Sequence, residues 1–87
     1  MNRKEIEQKV FDIIADVLYV EDKSVITSEA RLDQLSGEGI DSLDVMEISM
    51  RIDKEFDVYS MVEKMLTMEY VSEVVEYVMQ LTYEATE

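Results

Sequence analysis

Apolar residues recur every three or four positions along nearly the whole chain, and only two glycines and no proline interrupt them. That spacing paints one stripe along a helix, whereas a half-buried strand needs strict alternation. Ile6, Val10, Ile13, Ile14, Val17 and Leu18 predict a first helix over 3–18, with Asn2 and Glu5 spaced to form a capping box. A second helix should begin at Ser42, with Leu43, Met46 and Met50 in one row and Val45, Ile48, Ile52 and Phe56 in another. Ser60 followed by Glu63 matches a capping box and predicts a short third helix over 61–67. Val71, Val74, Val75, Val78 and Leu81 predict a last helix over 69–82. Its β-branched run invites a strand, but the spacing favours helix and a lone strand has nothing to pair with. The sequence leaves open whether 57–60 is a true break or a bend between two nearly continuous helices. The expected fold is all-α, a small bundle of three main helices plus one short one.

Residues 19–41 lose the period. Charges, serines, Thr27 and both glycines (Gly37 and Gly39) collect there, while Val25, Ile26, Leu32 and Leu35 can pin the segment to a core. The expectation is a long loop with one short helical turn near 29–34. A loop of that length in an 87-residue chain is uncommon and often functional. The length fits one domain, over 1–84, with 85–87 as a C-terminal tail.

Composition removes whole classes of function. With no cysteine there is no disulfide framework, thiolate metal site or cysteine nucleophile, and with no histidine the usual general base near neutral pH is missing. A self-contained enzyme is therefore not expected, nor a metal site. Twenty-one acids against eight bases give a net charge of −13, which argues against nucleic acid and anionic membrane surfaces. It favours basic protein partners. The charged start has no apolar run behind it, and no stretch approaches the ~20 residues of a membrane span. The expectation is a cytoplasmic monomer.

One tripeptide stands where the long loop meets the second helix: Asp41-Ser42-Leu43. Asp-Ser before an apolar run is an ordinary helix N-cap. A serine there can also carry a phosphate, whose charge meets free backbone N–H groups and the positive end of the helix dipole. Nothing obvious within the chain could activate that hydroxyl, so Ser42 reads as a modification site and not a catalytic residue.

Asp41-Ser42-Leu43, the acid-studded stretch from Asp44 to Asp57, the helix order and the final Val75-Glu-Tyr-Val78 pattern together resemble the acyl carrier protein family over nearly the whole chain. The resemblance implies that Ser42 receives a 4′-phosphopantetheine arm from coenzyme A through a phosphopantetheinyl transferase and Mg²⁺. The arm's thiol would hold acyl groups as thioesters, so the working sulfur belongs to the cofactor. It also implies that Asp41 assists recognition by the transferase. Asp44, Glu47, Asp53, Glu55 and Asp57 correspond to the acids that dock on basic patches of acyltransferases or synthases, and Asp44 and Glu47 are the foremost of them. Glu47 and Arg51 are also spaced to pair weakly on the helix surface. Met46, Met50, Met61 and Met65 are expected to rim an expandable acyl pocket between the second and third helices, because thioether side chains repack cheaply. Ordinary core filling is the competing reading of the methionines.

Three departures from the family pattern matter. Leu35-Ser-Gly-Glu-Gly-Ile-Asp-Ser42 is roughly three residues longer than the usual Leu-Gly-x-Asp-Ser run. Ser60 to Met68 is apolar where the family has Ile-Pro and an acid-rich helix, and Arg51 and Lys54 put positive charge on the docking helix. These departures predict a carrier for a dedicated pathway, such as lipid or lipopolysaccharide acylation or polyketide assembly. The alternatives are a housekeeping carrier of fatty-acid synthesis and an unmodified acidic helical adaptor. A calcium loop starting at Asp53 fails, since Val58 stands where glycine is needed and Lys64 where a bidentate glutamate is needed.

Overall fold

Three long helices and one of a single turn follow in the expected order: α1 (Arg3–Leu18), α2 (Ser42–Phe56), α3 (Val62–Met65) and α4 (Val71–Ala85). This is the architecture of a computed structural model that describes residues 1–85. The expected tail begins inside α4, and its residues 86 and 87 lie outside the described residues.

α1 packs against both α2 and α4, and α3 packs against α2. The stripe read from the sequence is the buried one: Ile6, Val10, Ile13, Ile14, Val17 and Leu18 all face the core. Val45, Ile48, Ile52 and Phe56 of α2 meet them, as do Val71, Val74, Val75 and Val78 of α4. Each fully buried side chain of this size contributes ~1.5–3 kcal/mol, which outweighs the weak helix propensity of the valines. The β-branched run is therefore helical because tertiary burial rewards a stripe of period 3.6.

Three features differ from the sequence expectation, and one that it left open is decided. The first concerns Ser60, which does not cap α3. Its hydroxyl is buried against the Ser49 hydroxyl at 2.5 Å, and α3 starts later, at Val62, with Met61 as an N-cap that lends no side-chain bond. A buried hydroxyl needs a partner, and the one available lies on α2. The second is the start of α4, two residues later than expected. The Glu73 carboxylate accepts the N–H groups of Glu69 and Tyr70, while Tyr70 joins an isolated antiparallel bridge with Arg31.

Third, 57–60 is a true break. Asp57 ends α2 in the left-handed region at φ 53, a conformation that Asp tolerates better than most residues. Fourth, the long loop holds two 3₁₀ turns, Lys23–Val25 and Leu32–Gln34, instead of one. The Asp22 carboxylate caps the first by accepting from the Ser24 hydroxyl and N–H, which holds it below the usual carboxylate range. Backbone bonds from Leu32 to Glu69, Val71 to Ala30 and Ser72 to Ser28 lace the loop to the start of α4. That lacing, together with the burial of Ile26 and Leu32, delivers the chain to Ser42 in a defined path.

Candidate functional site

The start of α2 divides its labour between two adjacent residues. Asp41 is the N-cap: its carboxylate accepts the Asp44 N–H at 2.9 Å, and the Asp44 carboxylate accepts the Asp41 N–H at 3.2 Å. This reciprocal capping box relieves Ser42 of any capping duty. Ser42 is the first helical residue, exposed, and its hydroxyl has no hydrogen-bond partner among the described residues. With Asp44 N–H taken by Asp41, the remaining unpaired N–H groups of the first turn are nearest Ser42. An exposed hydroxyl at the positive end of a 15-residue helix fits a phosphodiester attachment. The flanking carboxylates of Asp41 and Asp44 tie up each other's backbone and leave Oγ clear.

Three of the acids expected to dock partners, Glu47, Asp53 and Glu55, are engaged within the chain. Glu47 pairs with Arg51 at 3.2 Å, and Arg51 also reaches Asp16 of α1 at 3.7 Å. Glu55 pairs with Lys9 of α1 at 2.6 Å; that hydrogen bond, and after it the charge of Glu55, raises the Lys9 pKa above its ordinary value. These pairs are exposed, and such pairs contribute little to stability. Asp53 accepts the Ser60 N–H at 2.8 Å, which ties the start of the α3 segment to α2. Asp57 is the exposed, left-handed C-cap of α2.

The four methionines expected at an acyl pocket differ in burial. Met46, Met50 and Met61 are exposed by 45%, 65% and 59%, while Met65 is 3% exposed and belongs to the core. Met46 and Met50 instead join Leu43 on the outward side of α2, since positions 43, 46 and 50 share a helix face. Met50 also lines a shallow surface hollow with Ile13, Glu47 and Arg51.

Two features escaped the sequence reading. Ser49 and Ser60 are the buried polar residues of the described core, joined hydroxyl to hydroxyl between α2 and the α3 segment. A serine on the inner face of α2, at the spacing of Val45 and Ile52, was the signal available. The second is a hollow beside Asp41, between the end of α1 and the loop. Nothing in local spacing announces it, because it joins residues far apart in the chain. No group of three or more potential metal ligands occurs among the described residues, and no helix among them is long and apolar enough to cross a membrane.

Comparison with known proteins agrees with this geometry. Residues 8–78 match the family model described as a phosphopantetheine attachment site. An acyl carrier protein of Clostridium acetobutylicum is 35% identical over 77 residues, covering 88% of this chain and 96% of the relative. One from Rickettsia canadensis is 35% identical over 74 residues, covering 84% and 81%. One from Buchnera aphidicola is 36% identical over 53 residues, covering 61% and 63%.

Proposed function

Because the chain belongs to the acyl carrier protein family, a family of carriers and not of enzymes with 4′-phosphopantetheine as its cofactor, we propose that Ser42 is the attachment point of that arm. The observation that carries this reading is the division of labour at the start of α2. Asp41 caps the helix, so the Ser42 hydroxyl stays exposed and unbonded at its positive end. When bound, the arm supplies a terminal thiol that holds an acyl group as a thioester. The chain's own part is to present Ser42 on a rigid helix start. The laced loop and the capping box fix its approach. Activation of the hydroxyl falls to the transferase, since no histidine or cysteine exists in the chain. Asp41, beside Ser42, is the residue nearest to hand for transferase recognition.

The family assignment implies a phosphopantetheinyl transferase and acyl-processing enzymes as partners. The finer reading is a dedicated pathway of lipid or lipopolysaccharide acylation or polyketide assembly. Glu47 and Glu55 are offset by Arg51 and Lys9, so the acids of α2 offer a weaker negative surface than their number suggests. Asp44 carries no ion pair among the described residues and remains the foremost docking acid. The exposed Leu43, Met46 and Met50 lend the same face an apolar character.

Intact mass after incubation with coenzyme A and a transferase tests the attachment. A phosphopantetheine-sized gain, absent in Ser42→Ala, is expected; an unmodified wild-type chain across several transferases would favour an adaptor instead. The holo chain should then be a poor substrate for a general fatty-acid ketosynthase and malonyl transferase. Efficient use by both would make it a housekeeping carrier.

A further inference from the structure

The shallow hollow beside Met50 has a volume of about 510 Å³ and lies along the seam of α1 and α2. Ile13 and Met50 form its apolar part, and Glu47, Arg51, Lys54 and Glu55 complete its lining. Three of those four charges are engaged. Glu47 pairs with Arg51, which also reaches Asp16, and Glu55 pairs with Lys9. Lys54 is exposed and makes no ion pair or hydrogen bond among the described residues. It is therefore the free charge of the hollow, and it is a cation on a chain whose net charge is −13.

The place of Lys54 on the helix is an independent observation. Positions 43, 46, 50 and 54 follow one another at steps of three and four, so Lys54 ends the outward row that Leu43, Met46 and Met50 begin. That row starts beside Ser42 and reaches Lys54 about 18 Å further along the axis. An interface patch of about 800 Å² per partner is about 30 Å across, so an enzyme docked along α2 covers both ends of the row. A lysine in the last turn also suits the negative end of the helix dipole. That role asks nothing of the hollow or of the apolar row.

We propose that this hollow receives a carboxylate side chain, aspartate or glutamate, of the acyl-processing enzyme that the carrier serves, with Lys54 as its counter-ion. The inference rests on the reading of Ser42 as the attachment point. The methylene stem of that side chain lies against Ile13 and Met50, and its carboxylate meets the Lys54 ammonium. The Arg51 guanidinium adds the N–H groups that Glu47 and Asp16 leave over. An enzyme with an unbroken basic surface brings like charge to Lys54, so the same residue selects by repulsion as well as by attraction. A second copy of the chain could also supply a carboxylate, but two charges of −13 repel.

The test uses the holo chain and, from a panel of acyltransferases and ketosynthases, the enzyme that uses it most efficiently. Acyl transfer is measured for wild type, Lys54→Gln, Lys54→Arg and Lys4→Gln. Lys4, exposed near the start of α1, provides the same change in net charge away from the hollow. Lys54→Gln should raise KM by about threefold to tenfold with kcat unchanged, and salt at about 0.5 M should erase the difference. Lys54→Arg keeps the charge and should stay within about twofold of wild type, and Lys4→Gln should match wild type. A role confined to the helix dipole would lower the melting temperature of Lys54→Gln and leave KM alone. Carbodiimide, which condenses a carboxylate with an amine in contact with it, should link Lys54 to an aspartate or glutamate of the enzyme, located by peptide mass spectrometry. A wild-type KM in Lys54→Gln, an equal rise in Lys4→Gln, a loss confined to kcat or the absence of that cross-link overturns the proposal. A wild-type chain that gains no phosphopantetheine mass sinks the attachment reading itself, whereas a holo chain indifferent to Lys54 sinks this inference alone.

Discussion

Asp53 shows how one side chain's place in the bundle changes its meaning. In the sequence it is one acid among several on an amphipathic helix, and the family resemblance makes it a docking residue. In the structure its carboxylate accepts the Ser60 N–H across the break between α2 and α3. A hydrogen bond to a charged acceptor contributes roughly 1.5–3 kcal/mol, well above the ~0.2–0.5 kcal/mol of a helix-surface pair such as Glu47 with Arg51. Urea denaturation should therefore show Asp53→Ala destabilised by about 1–3 kcal/mol. Glu47→Ala should change stability by no more than about 0.5 kcal/mol. Equal and small effects would return Asp53 to the solvated face. A cap at the start of α2 was legible from neighbouring residues in sequence, because capping is a contact between residues three apart. The role of Asp53 was not, because its partner stands seven residues away across a turn.

Among the elements, α3 is the one that cannot form alone. Four residues supply a single turn, and an isolated helix so short is unstable in water. Its anchors come from outside: Met65 is buried in the core, the Tyr77 hydroxyl of α4 accepts the Met61 N–H at 2.9 Å, and Lys64 lies over the Tyr77 ring at 4.7 Å. Ser49 and Asp53 hold Ser60 at its entrance. Tyr77→Phe keeps the ring and removes the acceptor, which should cost about 1 kcal/mol. Hydrogen exchange should quicken over 61–66 and stay unchanged in α1. Uniform acceleration across the chain would mean that α3 does not open separately. The length of α3 was over-read from Ser60 and Glu63 because a capping box is a local pattern. The Ser60 hydroxyl found a better, non-local partner in the core.

For the whole molecule, charge is the constraint. Ion pairs join α1 to α2 through Lys9 with Glu55 and Arg51 with Asp16, and α1 to α4 through Arg3 with Glu76. Eight bases cannot offset twenty-one acids, so the folded state carries self-repulsion that salt screens. Raising ionic strength from about 0.01 M to 0.15 M shortens the screening length from about 30 Å to 8 Å. The melting temperature should rise over that range, and a fall would show that the exposed pairs outweigh the repulsion. The same repulsion opposes close approach of two copies of the chain. Three long helices, their buried stripes and a cap at Asp41 or Ser42 all followed from the sequence alone, while the structure assigned the cap to Asp41 and left the serine exposed. Each depends on spacings of three or four residues, which a helix turns directly into contacts. The tertiary structure alone decided that α2 ends at Asp57, that Glu47 and Glu55 are offset, and that a hollow opens beside Ser42. Those outcomes depend on which distant residues the packing brings together, and on buried polar groups finding partners wherever the chain returns.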